Sequence, residues 1–251
     1  MIHSLDCIRL AAASPDVAVQ DYATLLGRAA LGTALNLSNA GLEIIEKPSF
    51  GSEGLAEMTF AVADLAKARN LLERRAMRVH MDESSPVRRL HVATDSTFGV
   101  PISLVERAPD AAREPSPLAA PEPTAATALD HVVIRTRNPE RAVALYGARL
   151  GLSLRLDRTE PSWGARLLFF RCGDLIIEVA HDLKAGISDD PDTLWGLSWR
   201  VPDVANAHAR VTVAGVETSE LRIGRRPGTQ IFTVRSHTAG VPTIMVGPLQ
   251  Q

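Results

Sequence analysis

The chain has 251 residues, of which 45% are hydrophobic, so its length suits one or two globular domains with ordinary cores. The formal net charge of -2 and the sequence pI of about 6.4 argue against nucleic acid and anionic membranes as partners. We expect a cytoplasmic protein, because no apolar stretch is long enough to span a bilayer, the N-terminus lacks a signal-peptide pattern, and the two cysteines, Cys7 and Cys172, fit a reducing compartment.

The pattern at the start of the chain returns in the C-terminal half. Leu5-Asp6-Cys7-Ile8 matches Leu129-Asp130-His131-Val132, and the same offset of 124 residues aligns Pro15 with Pro139, Tyr22 with Tyr146 and Gly27 with Gly151. A constant offset across a strand and a helix indicates duplication. Farther on, Gly41–Glu46 matches Gly173–Glu178 at an offset of 132, so the first copy is eight residues shorter and is predicted to lack a strand.

The second part of each half repeats as well. A strand runs into a helix whose predicted N-cap is Asp64 or Asp203, and a Gly-Val-Pro turn precedes the last strand. The matching segments are 60–65 with 199–204 and 98–102 with 239–243. The sequence therefore predicts four modules, each with a strand, a helix and two or three further strands. One helix cannot cover the sheet of such a module, so two modules must share a sheet surface, and a ligand would bind the concave face between them.

The segment between the two halves is rich in proline and alanine. It has too few apolar side chains to fold and is expected to stay extended as a semi-rigid spacer. We therefore predict an α+β protein with an N-terminal domain at 1–107, a linker at 108–127 and a C-terminal domain at 128–251. The predicted modules are 1–48, 55–107, 128–182 and 194–248.

One histidine and one glutamate are the main candidates for chemistry. His131 lies in the strand Leu129–Arg135, just before a helix with Asn138 as its predicted N-cap. A histidine in such a strand either faces a cavity or is packed in the core with its nitrogens hydrogen-bonded. Glu178 lies in the apolar run Gly173–Ala180, where an unpaired carboxylate would cost several kcal/mol, so it needs a metal, a cation or hydrogen-bond donors. His131 and Glu178 are therefore provisional partners.

Three segments together resemble the vicinal oxygen chelate superfamily, which includes glyoxalase I, bleomycin-resistance proteins, fosfomycin-resistance enzymes and extradiol dioxygenases. The segments are Leu129–Ile134, the helix from Pro139 to Tyr146 with Leu150-Gly151-Leu152, and Ile176–Val179. The resemblance covers all four modules. It implies tandem βαβββ modules that pair into two cup-shaped mixed sheets.

The resemblance also implies positions for a metal. In this superfamily, side chains on the first and last strands of each module hold a divalent ion that chelates two vicinal oxygens of the substrate. The matching residues of the second domain are His131 and Glu178, but the companion positions fall near Gly196 and Met245, which are not ordinary ligands of a hard ion. The first domain has Cys7, Glu46, Glu57 and Leu104 at these positions. We interpret that cup as structural, because single acidic residues at strand ends are ordinarily exposed.

The resemblance implies a metal-dependent enzyme of lyase, isomerase or dioxygenase type, acting on a small oxygenated substrate in the C-terminal cup. A divalent Fe, Mn, Zn or Ni ion would serve as Lewis acid, Glu178 would be the catalytic residue as well as a ligand, and no organic cofactor is implied. The alternative is a metal-free binding or sequestering protein of bleomycin-resistance type, in which His131 and Glu178 form a buried pair. A homodimer is compatible with both, since paired modules of such folds also form across subunits.

Four further residues are candidate contacts to the substrate. Trp163 and Trp199 could wall a cavity, although packing in the core is the default explanation for aromatic side chains. Arg225 lies in the loop 224–228 and either attracts a carboxylate or is simply solvated. His237 precedes the last turn and either completes the site from its rim or forms a polar hairpin end.

Overall fold

The computed structural model describes residues 1–49, 51–82, 87–109, 111 and 113–249, and its secondary structure is mixed α and β. One mixed sheet is built from each half of the chain, which confirms the predicted α+β class with two cups. No helix in the described ranges is both long and apolar enough to cross a lipid bilayer.

The first sheet contains the described strands of the N-terminal half. They are β1 (Ile2–Ala12), β2 (Ala34–Asn36), β3 (Gly41–Glu46), β4 (Gly54–Val62), β5 (Val79–Asp82), β6 (Arg89–Val92) and β7 (Ile102–Glu106). Their order across the sheet is β2-β3-β1-β4-β7-β6-β5, so the strands of the first module lie on one side and those of the second module on the other.

The second sheet contains the described strands of the C-terminal half. They are β8 (Ala128–Arg135), β9 (Ser153–Glu160), β10 (Ala165–Cys172), β11 (Leu175–Asp182), β12 (Thr193–Arg200), β13 (Arg222–Ile223), β14 (Thr229–Val234) and β15 (Thr243–Pro248). Their order is β13-β14-β15-β12-β8-β11-β10-β9. In this half β8 is followed by three strands before β12, whereas β1 is followed only by the three-residue β2 and by β3 before β4. Within the described residues the first copy thus has one strand fewer than the second, as predicted.

Each module contributes one helix. The helices are α1 (Pro15–Leu26), α2 (Leu65–Arg74), α3 (Pro139–Ala142), which continues as a π-helix over Val143–Arg149, and α4 (Val204–Val213). The side-chain oxygens of Asp64, Asn138 and Asp203 each accept a hydrogen bond from the backbone N–H three residues later. These caps satisfy donors that a helix start leaves unpaired, and all three predicted N-caps are confirmed.

The chain divides into two compact units, and each unit combines parts of both halves. The first unit consists of Met1–Cys7, Glu57–Ala111 and Val132–Trp195. The second unit consists of Ile8–Ala56, Ala112–His131 and Gly196–Gln251. Each sheet is built from one half of the chain, whereas each compact unit contains segments of both halves. The domain boundaries at 107 and 128 therefore remain a prediction.

In the first unit, the helix that begins at Pro139 covers one face of β10 and β11. The ring of Tyr146 lies 5.6 Å from that of Phe170, and both are fully buried. Elsewhere in the unit the backbone N–H of Asp192 donates to the carbonyl of Phe98 over 2.7 Å. The adjacent Gly99 has a φ of +104°, and a Cβ there would lie 2.7 Å from a proline side chain, so this close approach requires glycine.

In the second unit, buried polar side chains bond to backbone carbonyls. The Tyr22 hydroxyl donates to the carbonyl of Thr238 over 3.1 Å. The Arg28 guanidinium donates to the carbonyls of Ser116 and Ala126 over 2.8 and 2.6 Å. The proline- and alanine-rich segment is therefore packed in this unit and is not the free spacer that its composition predicts, because its carbonyls satisfy a buried arginine.

The two matched tyrosines provide a test of this packing. Tyr22 and Tyr146 are both fully buried, but the hydroxyl of Tyr146 has no hydrogen-bond partner among the described residues. We expect Tyr22→Phe to lower the free energy of unfolding by about 1 kcal/mol, because the Thr238 carbonyl loses its donor. Tyr146→Phe should be neutral or stabilising, because it removes an unsatisfied group. Urea unfolding of both variants measures the difference, and equal losses would contradict this explanation.

Candidate functional site

His131 is held by a chain of charged side chains. Its Nδ1 lies 3.0 Å from Oδ2 of Asp130, and Oδ1 of Asp130 accepts a hydrogen bond from Nε of Arg200 over 2.9 Å. All three side chains are partly buried, and the imidazole is 23% exposed. Burial alone would favour the neutral carboxyl, but the hydrogen bonds and charges of His131 and Arg200 outweigh it and lower the pKa of Asp130 to about 2.

This arrangement orients the imidazole. When Nδ1–H donates to Asp130, the lone pair of His131 lies on Nε2, which becomes the nitrogen able to accept a hydrogen bond or bind a metal. Metal-binding histidines commonly donate their other ring N–H to a carboxylate in this way. The hydrogen bond at Nδ1 is also compatible with the core alternative for His131.

A cavity of about 370 Å³ lies beside Arg200 in the second unit. Its lining includes Arg226 from the turn after β13, with Thr229 and Val246 on the neighbouring strands. Val246 is the register partner of both Arg200 and Ile231, so these three side chains share one face of the sheet. The opposite face holds Trp199, Met245 and Phe232, which are also register partners and are all buried. The cavity therefore lies on the face away from α4, whose His208 ring contacts Phe232 edge-on at 5.0 Å.

Glu178 lies on the open face of β11 in the first unit. It is half-buried, as are Ile176 and Ala180 on the same face, whereas the intervening Ile177 and Val179 are fully buried. Its register partner on β10 is Phe169, which in turn pairs with Leu156 on the edge strand β9. The carboxylate thus stands among apolar side chains that remain accessible.

Two arginine–tryptophan pairs lie in the first unit. The guanidinium carbon of Arg135 is 4.2 Å from the centre of the Trp195 ring, and that of Arg158 is 4.8 Å from the centre of the Trp163 ring. Such stacking holds a guanidinium in place while its edges can still donate hydrogen bonds. Of these four residues, the sequence analysis predicted only Trp163 as a candidate substrate contact. Alternation along β9 places Arg158 on the same face as Leu156. This pattern could have indicated Arg158 as the partner of Trp163.

The described residues do not fit a metal ion held by three or more protein side chains. No group of at least three histidine, cysteine, aspartate or glutamate side chains within the described ranges could hold such an ion. His131 belongs to the second compact unit and Glu178 to the first, so their pairing stays a prediction. The companion positions offer no ligand either: a Cβ on Gly196 would lie 2.8 Å from a backbone oxygen, and Met245 is buried beside Phe232.

The other candidate substrate contacts are placed as follows. Trp163 is 38% exposed, whereas Trp199 is 1% exposed and lies in the core beneath α4. Arg225 is exposed, but its neighbour Arg226 is the one that lines the cavity. The ring of His237 lies 2.9 Å from the Ser236 hydroxyl and 3.8 Å from a carboxylate oxygen of Asp21. The predicted roles of these residues in substrate binding stay predictions.

The corresponding positions of the first domain differ in exposure. Cys7 is half-buried, Glu46 is exposed, Glu57 is 9% exposed and Leu104 is fully buried. Glu57 is thus far more buried than expected for a solvated carboxylate at a strand end.

Comparisons with known proteins bear on the family. Residues 130–233 match the model of the Glyoxalase/Bleomycin resistance protein/Dioxygenase superfamily. This matched part of the chain contains His131 and Glu178. The vicinal oxygen chelate resemblance is therefore confirmed for residues 130–233. No curated protein matches the chain by sequence.

Solved structures with the vicinal oxygen chelate fold match nearly the whole chain. A Mn(II)-bound glyoxalase from Novosphingobium aromaticivorans is 13% identical with a TM-score of 0.72, and the match covers 99% of this chain and 83% of that one. A catechol 2,3-dioxygenase is 18% identical with a TM-score of 0.70 and coverages of 100% and 96%. A mutant 4-hydroxymandelate synthase from Streptomyces coelicolor is 13% identical with a TM-score of 0.73 and coverages of 100% and 94%. At these identities the likeness shows the fold alone.

The lowered pKa of Asp130 makes a prediction for acid stability. A depressed folded-state pKa contributes stability above the ordinary carboxyl pKa of about 4, and this contribution is lost as the pH falls through about 2. We expect Asp130→Asn to cost roughly 2 kcal/mol at pH 6 and to flatten the loss of stability between pH 4 and 2.

Urea unfolding at pH 6 and pH 3 measures both effects. Asp16→Asn is the control, since Asp16 is exposed on the first turn of α1. If the Asp130 variant followed the same pH dependence as the wild type, the ion pair would not be the source of this stability.

Proposed function

We propose that the C-terminal half binds a small oxygenated molecule that carries an acidic group, in the cavity beside Arg200. The observation that supports this is the pair of guanidinium groups, Arg200 and Arg226, at a cavity of about 370 Å³. Guanidinium groups match carboxylate geometry and form charge-assisted hydrogen bonds with it. Asp130 already orients Arg200, so less conformational freedom is lost when a ligand binds.

The ligand class follows from the rest of the lining and from the family. Val246 supplies an apolar wall and Thr229 a neighbouring polar position, which suits a molecule with an apolar body and one acidic end. The names of two proteins of similar fold, catechol 2,3-dioxygenase and 4-hydroxymandelate synthase, refer to small oxygenated aromatic compounds. Benzoate combines the ring with a carboxylate and is therefore a suitable probe.

A metal-dependent enzyme is the second candidate function. The hydrogen bond from His131 to Asp130 favours it, because it leaves Nε2 as the nitrogen that would bind a metal. The Mn(II)-bound glyoxalase has a similar fold, and many proteins of the superfamily are enzymes. In this proposal Glu178 is the residue that would move a proton on the substrate, since a half-buried carboxylate among apolar side chains suits general acid–base chemistry.

Measurement of benzoate binding distinguishes the role of Arg226 from that of its neighbour Arg225. We expect Arg226→Gln to weaken the affinity measured by calorimetric titration by about tenfold or more, because a charge-assisted hydrogen bond is lost. Arg225→Gln is the matched control and should leave the affinity nearly unchanged, since Arg225 does not line the cavity. Equal effects of both variants, or no binding by the wild type, would contradict the proposed binding site.

Metal content tests the second candidate. Elemental analysis of protein purified without chelator would compare the wild type with His131→Ala and Glu178→Gln. Near-stoichiometric Fe, Mn, Zn or Ni that is lost in both variants is the result expected of a metal-dependent enzyme. Metal content that is unchanged in either variant would contradict the assignment of that residue as a ligand.

A further inference from the structure

A short hairpin turn brings an arginine to the cavity beside Arg200 in the second unit. The turn, residues 224–228, reads Gly-Arg-Arg-Pro-Gly and connects β13 to β14, which pair in an antiparallel register. It therefore contains two adjacent arginines, and both are exposed. Arg226 lines the cavity, whereas Arg225 does not. Because the two side chains are chemically identical, the backbone of the turn must determine which of them reaches the cavity.

Thr229, the first residue of β14, closes this turn with three hydrogen bonds. Its hydroxyl and its backbone N–H both donate to the carbonyl oxygen of Arg226, over 2.5 and 3.2 Å. Its own carbonyl accepts a hydrogen bond from the backbone N–H of Gly224 over 2.8 Å. The Arg226 carbonyl lies in the same rigid peptide plane as the Cα of that residue. Fixing this carbonyl therefore restricts the direction in which the Arg226 side chain leaves the turn.

The other residues of the turn are suited to this arrangement. A Cβ on Gly224 would overlap the Thr229 hydroxyl oxygen, so the hydroxyl can approach the turn only because residue 224 is a glycine. Gly228 has a φ of +72°, a left-handed conformation that favours glycine. Pro227 fixes the φ of the position directly after Arg226. The turn therefore has a defined conformation, and the Thr229 hydroxyl is a side-chain bond within it.

The hydroxyl of Thr229 has no direct hydrogen bond to offer a carboxylate. Thr229 lines the cavity and is 5% exposed, but its single hydroxyl hydrogen is already donated to the Arg226 carbonyl. Its oxygen could then only accept a hydrogen bond, and an ionised carboxylate has no hydrogen to donate. As a hydrogen-bonding group, Thr229 can therefore affect a bound carboxylate only through the position of Arg226.

We propose that Thr229 is a positioning residue of the acid-binding site, whose hydroxyl holds the turn so that Arg226, and not Arg225, lines the cavity. This inference rests on the proposed binding of an acidic ligand beside Arg200, and it adds the origin of the selectivity for acids. The charge of Arg200 is offset by Asp130, and the described lining contains no acidic residue. Arg226 therefore supplies the positive charge that favours an anion over a neutral molecule of the same shape.

Benzoate and nitrobenzene have nearly the same shape and differ in charge, so they distinguish positioning of Arg226 from a general loosening of the cavity. Both would be titrated calorimetrically into full-length protein. We expect Thr229→Val to weaken benzoate binding about fivefold and to change nitrobenzene binding less than about twofold, whereas Thr229→Ser, which keeps the hydroxyl, should retain most of the benzoate affinity. Thr233→Val is the matched control, since Thr233 lies on the same face of β14 but its hydroxyl accepts from Arg222.

A double-variant cycle tests whether Thr229 acts through Arg226. In protein that already carries Arg226→Gln, Thr229→Val should cost no further benzoate affinity, because the group that it positions is gone. Thr229→Ala takes its place if Thr229→Val does not fold. Additive losses, equal losses for benzoate and nitrobenzene, or a Thr229→Ser variant as weak as Thr229→Val would overturn the role of Thr229 while the wild type still binds benzoate. Absence of benzoate binding by the wild type would instead overturn the proposed function, and this inference with it.

Discussion

An aspartate with little exposure, paired with an arginine, links the first strand of each half to a later strand. Asp130 is paired with Arg200 at the end of β12, and Asp6, which is 6% exposed, accepts two hydrogen bonds from Arg107 just after β7. Removing the arginine would leave a largely buried carboxylate with less compensation, so each pair stabilises the fold independently of any site. In the C-terminal half the same carboxylate also holds His131, whereas the next residue after Asp6 is a cysteine. The orientation of His131 is therefore an addition to a structural ion pair that both halves need.

Matching residues of the duplicated modules make different contacts. Tyr22 and Tyr146 occupy matching positions and are equally buried, yet only Tyr22 has a hydrogen-bond partner among the described residues. Near Tyr146 the first unit contains Asp192, which is 1% exposed and accepts hydrogen bonds from Thr136 and Arg141. Burial raises the pKa of Asp192 in spite of these donors. Burial also raises the pKa of the Tyr146 hydroxyl, and the negative charge of Asp192 adds to this rise.

The parts of the fold that depend on local pattern could be predicted from the sequence. The offset between the two copies located the missing strand, and Asp64, Asn138 and Asp203 were recognisable as N-caps because a cap acts within one helical turn. Features that depend on distant partners could not be predicted. The composition of the linker gives no sign of Arg28, whose guanidinium binds it from almost ninety residues away. Likewise Arg225 and Arg226 are indistinguishable in sequence, and only the geometry of the turn places one of them at the cavity.

Alternation along each strand explains why similarity in fold says little about chemistry. In β11 the residues Ile177 and Val179 are buried and must stay apolar, but Glu178 between them faces an open surface and is free of that constraint. The same separation allows the open face to carry arginines around one cavity and histidines with a carboxylate around another. Solved structures of similar fold share only 13 to 18% identity with this chain, so the fold does not determine which residues lie on the open face. The charge of each open face is therefore a property of the residues of this chain and does not follow from the fold.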